Sequence, residues 1–121
     1  MKILLTGSSK GIGFNIASTL INEGHDIALH YNKNKSELDA LLKDSKTNSF
    51  AIQSDLSDST QVKDLVNNTI DKLSFPDCII NNAGIAESAD ISIDFEKWND
   101  LFDRTIDVNL KAPSLIFKEL I

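Results

Sequence analysis

Three glycines in Thr6-Gly7-Ser8-Ser9-Lys10-Gly11-Ile12-Gly13 stand between an apolar run, Ile3-Leu4-Leu5, and an amphipathic stretch from Phe14 to Asn22. Glycine admits positive φ and close backbone approach, so such a loop brings several N–H groups onto one point. A helix that starts there adds the partial positive charge of its N-terminus, and together they hold a pyrophosphate. Glycine triplets also arise in structural turns. Here the strand before the loop and the helix after it supply the context that gives the pattern its chemistry. Polar residues recur at the ends of the other apolar runs: Asn32 and Lys33, Asp55 with Leu56, and Asn81-Asn82-Ala83-Gly84.

The elements that must position these residues alternate between short apolar runs and patterns of helical period. Ile3 to Thr6 reads as a first strand, followed by a helix with an apolar face of Ile12, Ile16, Leu20 and Ile21 that Gly24 ends. Ile27 to Tyr31 reads as a second strand, and Ser36 as the cap of a helix with Leu38, Leu41 and Leu42 inward. Phe50 to Ile52 makes a third strand. Ser57 or Ser59 caps the next helix, in which Val62, Leu65, Val66, Ile70 and Leu73 keep helical spacing and which Pro76 stops. Cys78 to Ile80 is a fourth strand. A loop from Ile85 to Asp94 then leads to a helix carrying Phe95, Trp98, Leu101, Phe102 and Ile106, and Pro113 starts another.

Strands buried on both faces and separated by helices imply an α/β fold of Rossmann type, a doubly wound parallel sheet in three layers. Ligands of such sheets lie outside the carboxyl ends of the strands, where the four polar segments fall together.

At 121 residues the chain is long enough for one domain with its own core, spanning residues 1–121. The single cysteine, Cys78, permits no internal disulfide, and no run approaches the roughly 18 apolar residues of a membrane span, so a cytoplasmic protein with no membrane partner is expected. The net charge of −6 argues against nucleic acid. That charge is uneven, since Ile27 to Ser36 holds Lys33, Lys35 and His30 but no carboxylate. His25 and His30 are too far apart in face to pair on a metal, and Asp90, Asp94, Glu96, Asp100 and Asp103 read as a solvated loop and helix face, so no metal site is expected.

The spacing Thr-Gly-x-x-x-Gly-x-Gly at 6 to 13, with Asp55-Leu56 after the third strand and Asn81-Asn82-Ala83-Gly84 after the fourth, resembles the short-chain dehydrogenase/reductase family. Within it the chain is most similar to bacterial 3-oxoacyl-[acyl-carrier-protein] reductases, through Ser9-Lys10-Gly11-Ile12-Gly13 and His30-Tyr31-Asn32. The likeness spans the whole chain and about the first half of a family member, so the domain is incomplete relative to the family and ends after the fourth strand and its helices. It implies that Gly7, Ser9, Lys10, Gly11, Ile12 and Gly13 hold the pyrophosphate and adjoining ribose. Asn32 and Lys33 would meet the adenosine ribose, Asp55 the adenine amino group with Leu56 beside it, and Asn82, Ala83 and Gly84 the inner face of the cofactor. Asn109, in Asp107-Val108-Asn109-Leu110, matches the family's catalytic asparagine, which holds a water in the proton relay. Bland alternatives stand beside these roles: Asp55 as a helix cap, Asn81 and Asn82 as ties between strands, Asn109 as a cap or kink.

NADP(H) is expected over NAD(H), because no carboxylate ends the second strand to bind a ribose 2′-OH while Lys10 and Lys33 suit a 2′-phosphate. The implied partners are a small carbonyl substrate or an acyl carrier protein thioester, and further copies of the chain in a homo-oligomer, because Phe95, Trp98 and Phe102 read as core or subunit interface. A rival reading is a non-catalytic dinucleotide-binding or interaction protein complete at this length. A flavodoxin-like module is a weaker one, which Asn81 to Gly84 disfavour.

Carbonyl reduction needs an acid for the forming alkoxide as well as a hydride. The family's serine and Tyr-x-x-x-Lys pair are not in this sequence, whose one tyrosine, Tyr31, belongs to the adenosine side. The 121-residue chain is therefore predicted to bind cofactor without turnover. NADPH oxidation with acetoacetyl thioesters and a ketone panel checks this: a rate at the buffer blank is expected, and turnover well above it contradicts the assignment.

Overall fold

The computed structural model describes all residues from Met1 to Ile121. Four parallel strands, β1 (Lys2–Leu5), β2 (Asp26–Tyr31), β3 (Phe50–Gln53) and β4 (Cys78–Ile80), form one sheet in the order β3-β2-β1-β4. The chain winds outward from β1 through β2 to β3, then returns to the other side of β1, which leaves β4 at an edge and puts the reversal of strand order between β1 and β4.

Alternation along the strands builds two cores. Ile3, Leu5, Ile27 and Leu29 point to the face covered by α1 (Gly11–Asn22) and α2 (Ser36–Lys43), where they meet Ala17, Ile21 and Leu38. Leu4, Ala28 and Ile52 point to the opposite face and pack against Val62, Leu65 and Val66 of α3 (Ser59–Leu73) and Ile116 of α5 (Ala112–Leu120). Parallel register sets Ile3 beside Ile27 and Cys78, and Leu4 beside Ala28 and Ile79, so each layer of side chains runs across the sheet. The result is three layers, as the pattern of apolar runs predicts.

Several local expectations need correction. Ile12 is 75% exposed, and the buried stripe of α1 is Gly13, Ala17 and Ile21, small residues that let the helix lie close to the sheet. Ser36 is not a cap; its N–H and hydroxyl both donate to Oδ1 of Asn34. Neither Ser57 nor Ser59 caps α3, because Asp58 accepts from the N–H groups of Thr60 and Gln61. Short side chains compete for such positions one residue apart, and only the chain path decides between them.

The segment after β4 departs furthest from expectation. Helix α4 (Phe95–Ile106), capped by Asp94, runs through a π-helical turn (Asp107–Lys111) directly into α5, so Pro113 lies within a continuous helical run and does not start a separate one. Proline lacks an N–H and crowds the preceding turn. The wider turn just before it absorbs that demand. Helix α4 buries no residue: Phe95, Trp98 and Phe102 are exposed, so they are not core as one reading allows.

Ser74, after α3, has φ 68° and ψ −172°, a region open mainly to glycine, while its N–H still bonds the Ile70 carbonyl at 2.7 Å. Ser74→Gly is expected to raise stability by about 1 kcal/mol in urea unfolding. A loss of stability would contradict the strain assigned to Ser74.

Candidate functional site

The glycine loop between β1 and α1 is fixed from both sides. On the β4 side, Thr6 Oγ1 accepts from the N–H groups of Asn82 and Ala83, each at 3.1 Å, and Asn82 Nδ2 donates to the carbonyls of Thr6 at 3.2 Å and Gly7 at 2.9 Å. On the β2 side the Gly7 N–H donates to His30 Nδ1 at 3.0 Å, and the His30 carbonyl accepts from both Ser8 N–H and Ser8 Oγ–H. These bonds hold the loop at Thr6, Gly7 and Ser8.

Two glycines make the closeness possible. Gly7 has φ 68°, and a Cβ there would stand 2.8 Å from Ala83 Cα. A Cβ on Gly13 would run into the Gly7 carbonyl oxygen and stand 2.5 Å from Asn82 Nδ2. The first turn of α1 thus rests on the loop backbone. The N–H groups of Ser9 and Lys10 donate to no backbone or side-chain acceptor, and those of Gly11, Ile12 and Gly13 open the helix, where no intrahelical acceptor exists. This is a cluster of free donors at a positive helix end.

Around the loop lies a cavity of about 620 Å³ at the carboxyl ends of the strands. All the residues expected to hold a dinucleotide line it: Gly7, Ser9, Lys10, Gly11, Ile12 and Gly13 from the loop, Asn32 and Lys33 after β2, Asp55 and Leu56 after β3, and Asn82, Ala83 and Gly84 after β4. Lys10, Lys33 and Arg104 face Asp55 as the only carboxylate in the lining, so a chain of net charge −6 presents an electropositive cavity. Lys10 and Lys33 take part in no ion pair. Such a lining suits an anion with several oxygens.

Asp55 does not cap α3. Its Oδ1 accepts from the Ser57 hydroxyl at 2.7 Å and the Ser57 N–H at 2.9 Å, which hold the carboxyl below the ordinary carboxylate range with smaller help from Arg104 and Lys33. Oδ2 accepts no hydrogen bond from the protein. Asn82 both ties strands and lines the cavity, so the two readings of it coexist.

Asn109 stands apart. It sits in the π turn, and its side-chain amide is spent on Ile85, accepting from its N–H and donating to its carbonyl, both at 2.8 Å. It lies outside the lining, one contact from Ile85, which belongs to it. Its main-chain carbonyl lacks the usual donor four residues on, since that position is Pro113.

Three contributors escape the sequence reading. Thr6 and His30 hold the loop from beneath, and Arg104 reaches the cavity from α4 while 3.7 Å from Glu87 of the preceding loop. A histidine closing the apolar run Ile27-Ala28-Leu29 and the only arginine in the sequence were the available signals. Tyr31 packs on the core beneath α1 and α2 and is absent from the lining, so it is not placed for chemistry in the cavity.

In an open helix Gly→Ala gains up to about 1 kcal/mol. At Gly13 the sign should reverse, with Gly13→Ala losing about 1–3 kcal/mol through overpacking against Gly7 and Asn82. Urea denaturation measures this, and a neutral or stabilising effect would contradict the close approach.

Comparison with known proteins adds independent findings. The family model described as short chain dehydrogenase matches residues 1–121. The 3-oxoacyl-[acyl-carrier-protein] reductase FabG of Staphylococcus aureus (strain Mu50) is 34% identical over 113 residues, covering 90% of this chain and 44% of that protein. Among solved structures, a blue fluorescent protein from a metagenomic library in complex with NADPH superposes with a TM-score of 0.87 at 30% identity, over 98% of this chain and 49% of that one. A short chain dehydrogenase from Burkholderia cenocepacia J2315 in complex with NADP gives 0.84 at 29% identity, over 96% and 47%. The chain thus spans a little under half the length of each of these. With its glycine loop, strand order and full-length match to the family model, the chain belongs to the short chain dehydrogenase family.

Proposed function

We propose that this chain is the NADP(H)-binding part of an oxidoreductase that reduces a carbonyl to an alcohol, with a 3-oxoacyl thioester on acyl carrier protein as the leading substrate class. The observation that carries the reading is the electropositive cavity over the point where strand order reverses, lined by four loops with free N–H donors and two unpaired lysines. In open α/β sheets that point is where dinucleotides lie. The bound NADPH and NADP of two similar structures support the cofactor, and the name of the Staphylococcus relative supports the substrate class.

In this reading Ser9, Lys10, Gly11, Ile12 and Gly13 hold the pyrophosphate on free amides, with Gly7 setting the turn. Asn32 and Lys33 meet the adenosine ribose. Asp55 offers its unused Oδ2 to the adenine amino group beside Leu56, and Asn82, Ala83 and Gly84 form the wall toward the nicotinamide. The cofactor, when bound, supplies the hydride. Asn109, with its amide engaged by Ile85, would hold a relay water by the family likeness. By the same likeness the protein would work in the cytoplasm as a homo-oligomer, which would cover the exposed face of Phe95, Trp98 and Phe102 on α4. No helix of the chain is long and apolar enough to cross a membrane.

The preference for NADP(H) rests on the end of β2, which reads His30-Tyr31-Asn32-Lys33 with no carboxylate, and on Lys10 and Lys33 in one cavity. A charge-assisted bond to a 2′-phosphate is worth about 1.5–3 kcal/mol, so one well-placed lysine gives roughly tenfold preference or more. Titration calorimetry should find NADPH bound at least about tenfold more tightly than NADH, with the preference reduced in Lys10→Ala and in Asn32→Asp. Equal affinities in the wild type, or an undiminished preference in both variants, would overturn it.

A further inference from the structure

His30 is the penultimate residue of β2, on which Ile27, Ala28 and Leu29 are fully buried, and is itself only 3% exposed. Its ring takes part in two hydrogen bonds of opposite sense. Nδ1 faces the Gly7 N–H, which can only donate, at 3.0 Å, and Nε2 faces the Ser54 carbonyl, which can only accept, at 2.9 Å. Both exist together only when the imidazole is neutral with its proton on Nε2. The His30 carbonyl holds Ser8 as well, so this one residue of β2 governs the first two residues of the glycine loop and ties them to the end of β3.

We infer that His30 is a positioning residue for the dinucleotide site: its neutral imidazole turns the Gly7 N–H inward and sets the glycine loop, so that cofactor affinity falls in acid as this ring takes up a proton. The inference rests on the dinucleotide reading above. A proton on Nδ1 would face the Gly7 N–H with no acceptor between them, and the loop would have to move. With the Gly7 and Ser8 N–H groups turned to His30, the amides that follow, those of Ser9 and Lys10, remain without protein acceptors, which is the arrangement an anion needs.

The ionised groups nearby act in both directions. Asp55 after β3 favours the protonated ring, as does the Ser54 carbonyl, while Lys10, Lys33 and Arg104 line the same cavity and Gln61 of α3 is neutral. Burial outweighs the favouring contacts and pulls the imidazole below its ordinary value of 6.5. The unfolded chain therefore binds the proton at higher pH than the folded one, and the stability His30 contributes is present above about 6.5 and lost as pH falls through the folded-state value.

The test compares the wild type with His30→Asn, whose Oδ1 can accept from the Gly7 N–H in place of Nδ1 but does not titrate. NADP⁺ affinity is measured for both by calorimetry at about pH 8 and about pH 5.5, a range in which only histidine among the unperturbed side chains titrates. The 2′-phosphate of the ligand also titrates there, but equally for both proteins, so the ratio isolates the protein. The wild type should lose more affinity than His30→Asn between the two values, by a factor that stays below about tenfold, the ceiling for a ring that titrates below 6.5. Equal losses would overturn the inference. Nitrogen-15 spectra of the ligand-free wild type read the ring directly, even where His30→Asn does not fold. An Nε2–H tautomer that takes up a proton in acid is expected, and an Nδ1–H tautomer would overturn the inference. Absence of NADP⁺ binding by the wild type at about pH 8 would instead count against the dinucleotide reading, with the spectra still deciding the state of His30.

Discussion

The passage of Gly7 between the end of β4 and the first turn of α1 is the constraint on which the rest depends. No Cβ fits at Gly7 against Ala83, and none fits at Gly13 against Gly7. This double contact brings the amino end of α1 over the reversal point of the sheet, and without it neither the free amides nor the four-sided cavity would exist. Thr6, Asn82 and His30 then secure the geometry with hydrogen bonds from both neighbouring strands. Each bond contributes modestly by itself, about 0.5–1.5 kcal/mol. Their common effect is to remove alternatives for a loop that has no side-chain packing of its own.

Charge completes what the backbone begins. The surface is acidic, yet three of the cations converge on one cavity with a single carboxylate, and that carboxylate is half occupied by Ser57. A site of this kind pays little to receive a phosphate, because its donors are already aimed and have no competing partner. Arg104 extends the positive lining from a helix that otherwise buries nothing, and its contact with Glu87 links the loop after β4 to that helix.

Much of this was legible in the sequence because the informative residues lie where local rules act. Apolar runs such as Ile27-Ala28-Leu29 mark strands, and glycines at 7, 11 and 13 mark the loop between a strand and a helix. The four polar segments fall at strand ends by connectivity alone. What escaped depends on contacts between residues distant in the chain. His30 meets Gly7 across 23 positions, and Asn109 meets Ile85 across 24. The cap of α3 differs from expectation by one residue for a related reason: Asp58 and its serine neighbours have equal intrinsic claims, and tertiary path chooses among them. The π turn before Pro113 had no signal in apolar period, since a one-residue bulge leaves a helical pattern nearly intact.

The central claim is that a dinucleotide lies across the four loops at the carboxyl end of the sheet. A proton–nitrogen correlation spectrum of the labelled chain, titrated with NADPH, tests it residue by residue. Saturable shifts should concentrate at the amides of Gly7 to Gly13, Asn32 and Lys33, Asp55 and Leu56, and Asn82 to Gly84. Shifts centred elsewhere, such as at the opposite end of the sheet near Asp26 and Asp44, or no saturable shift at all, would contradict the account.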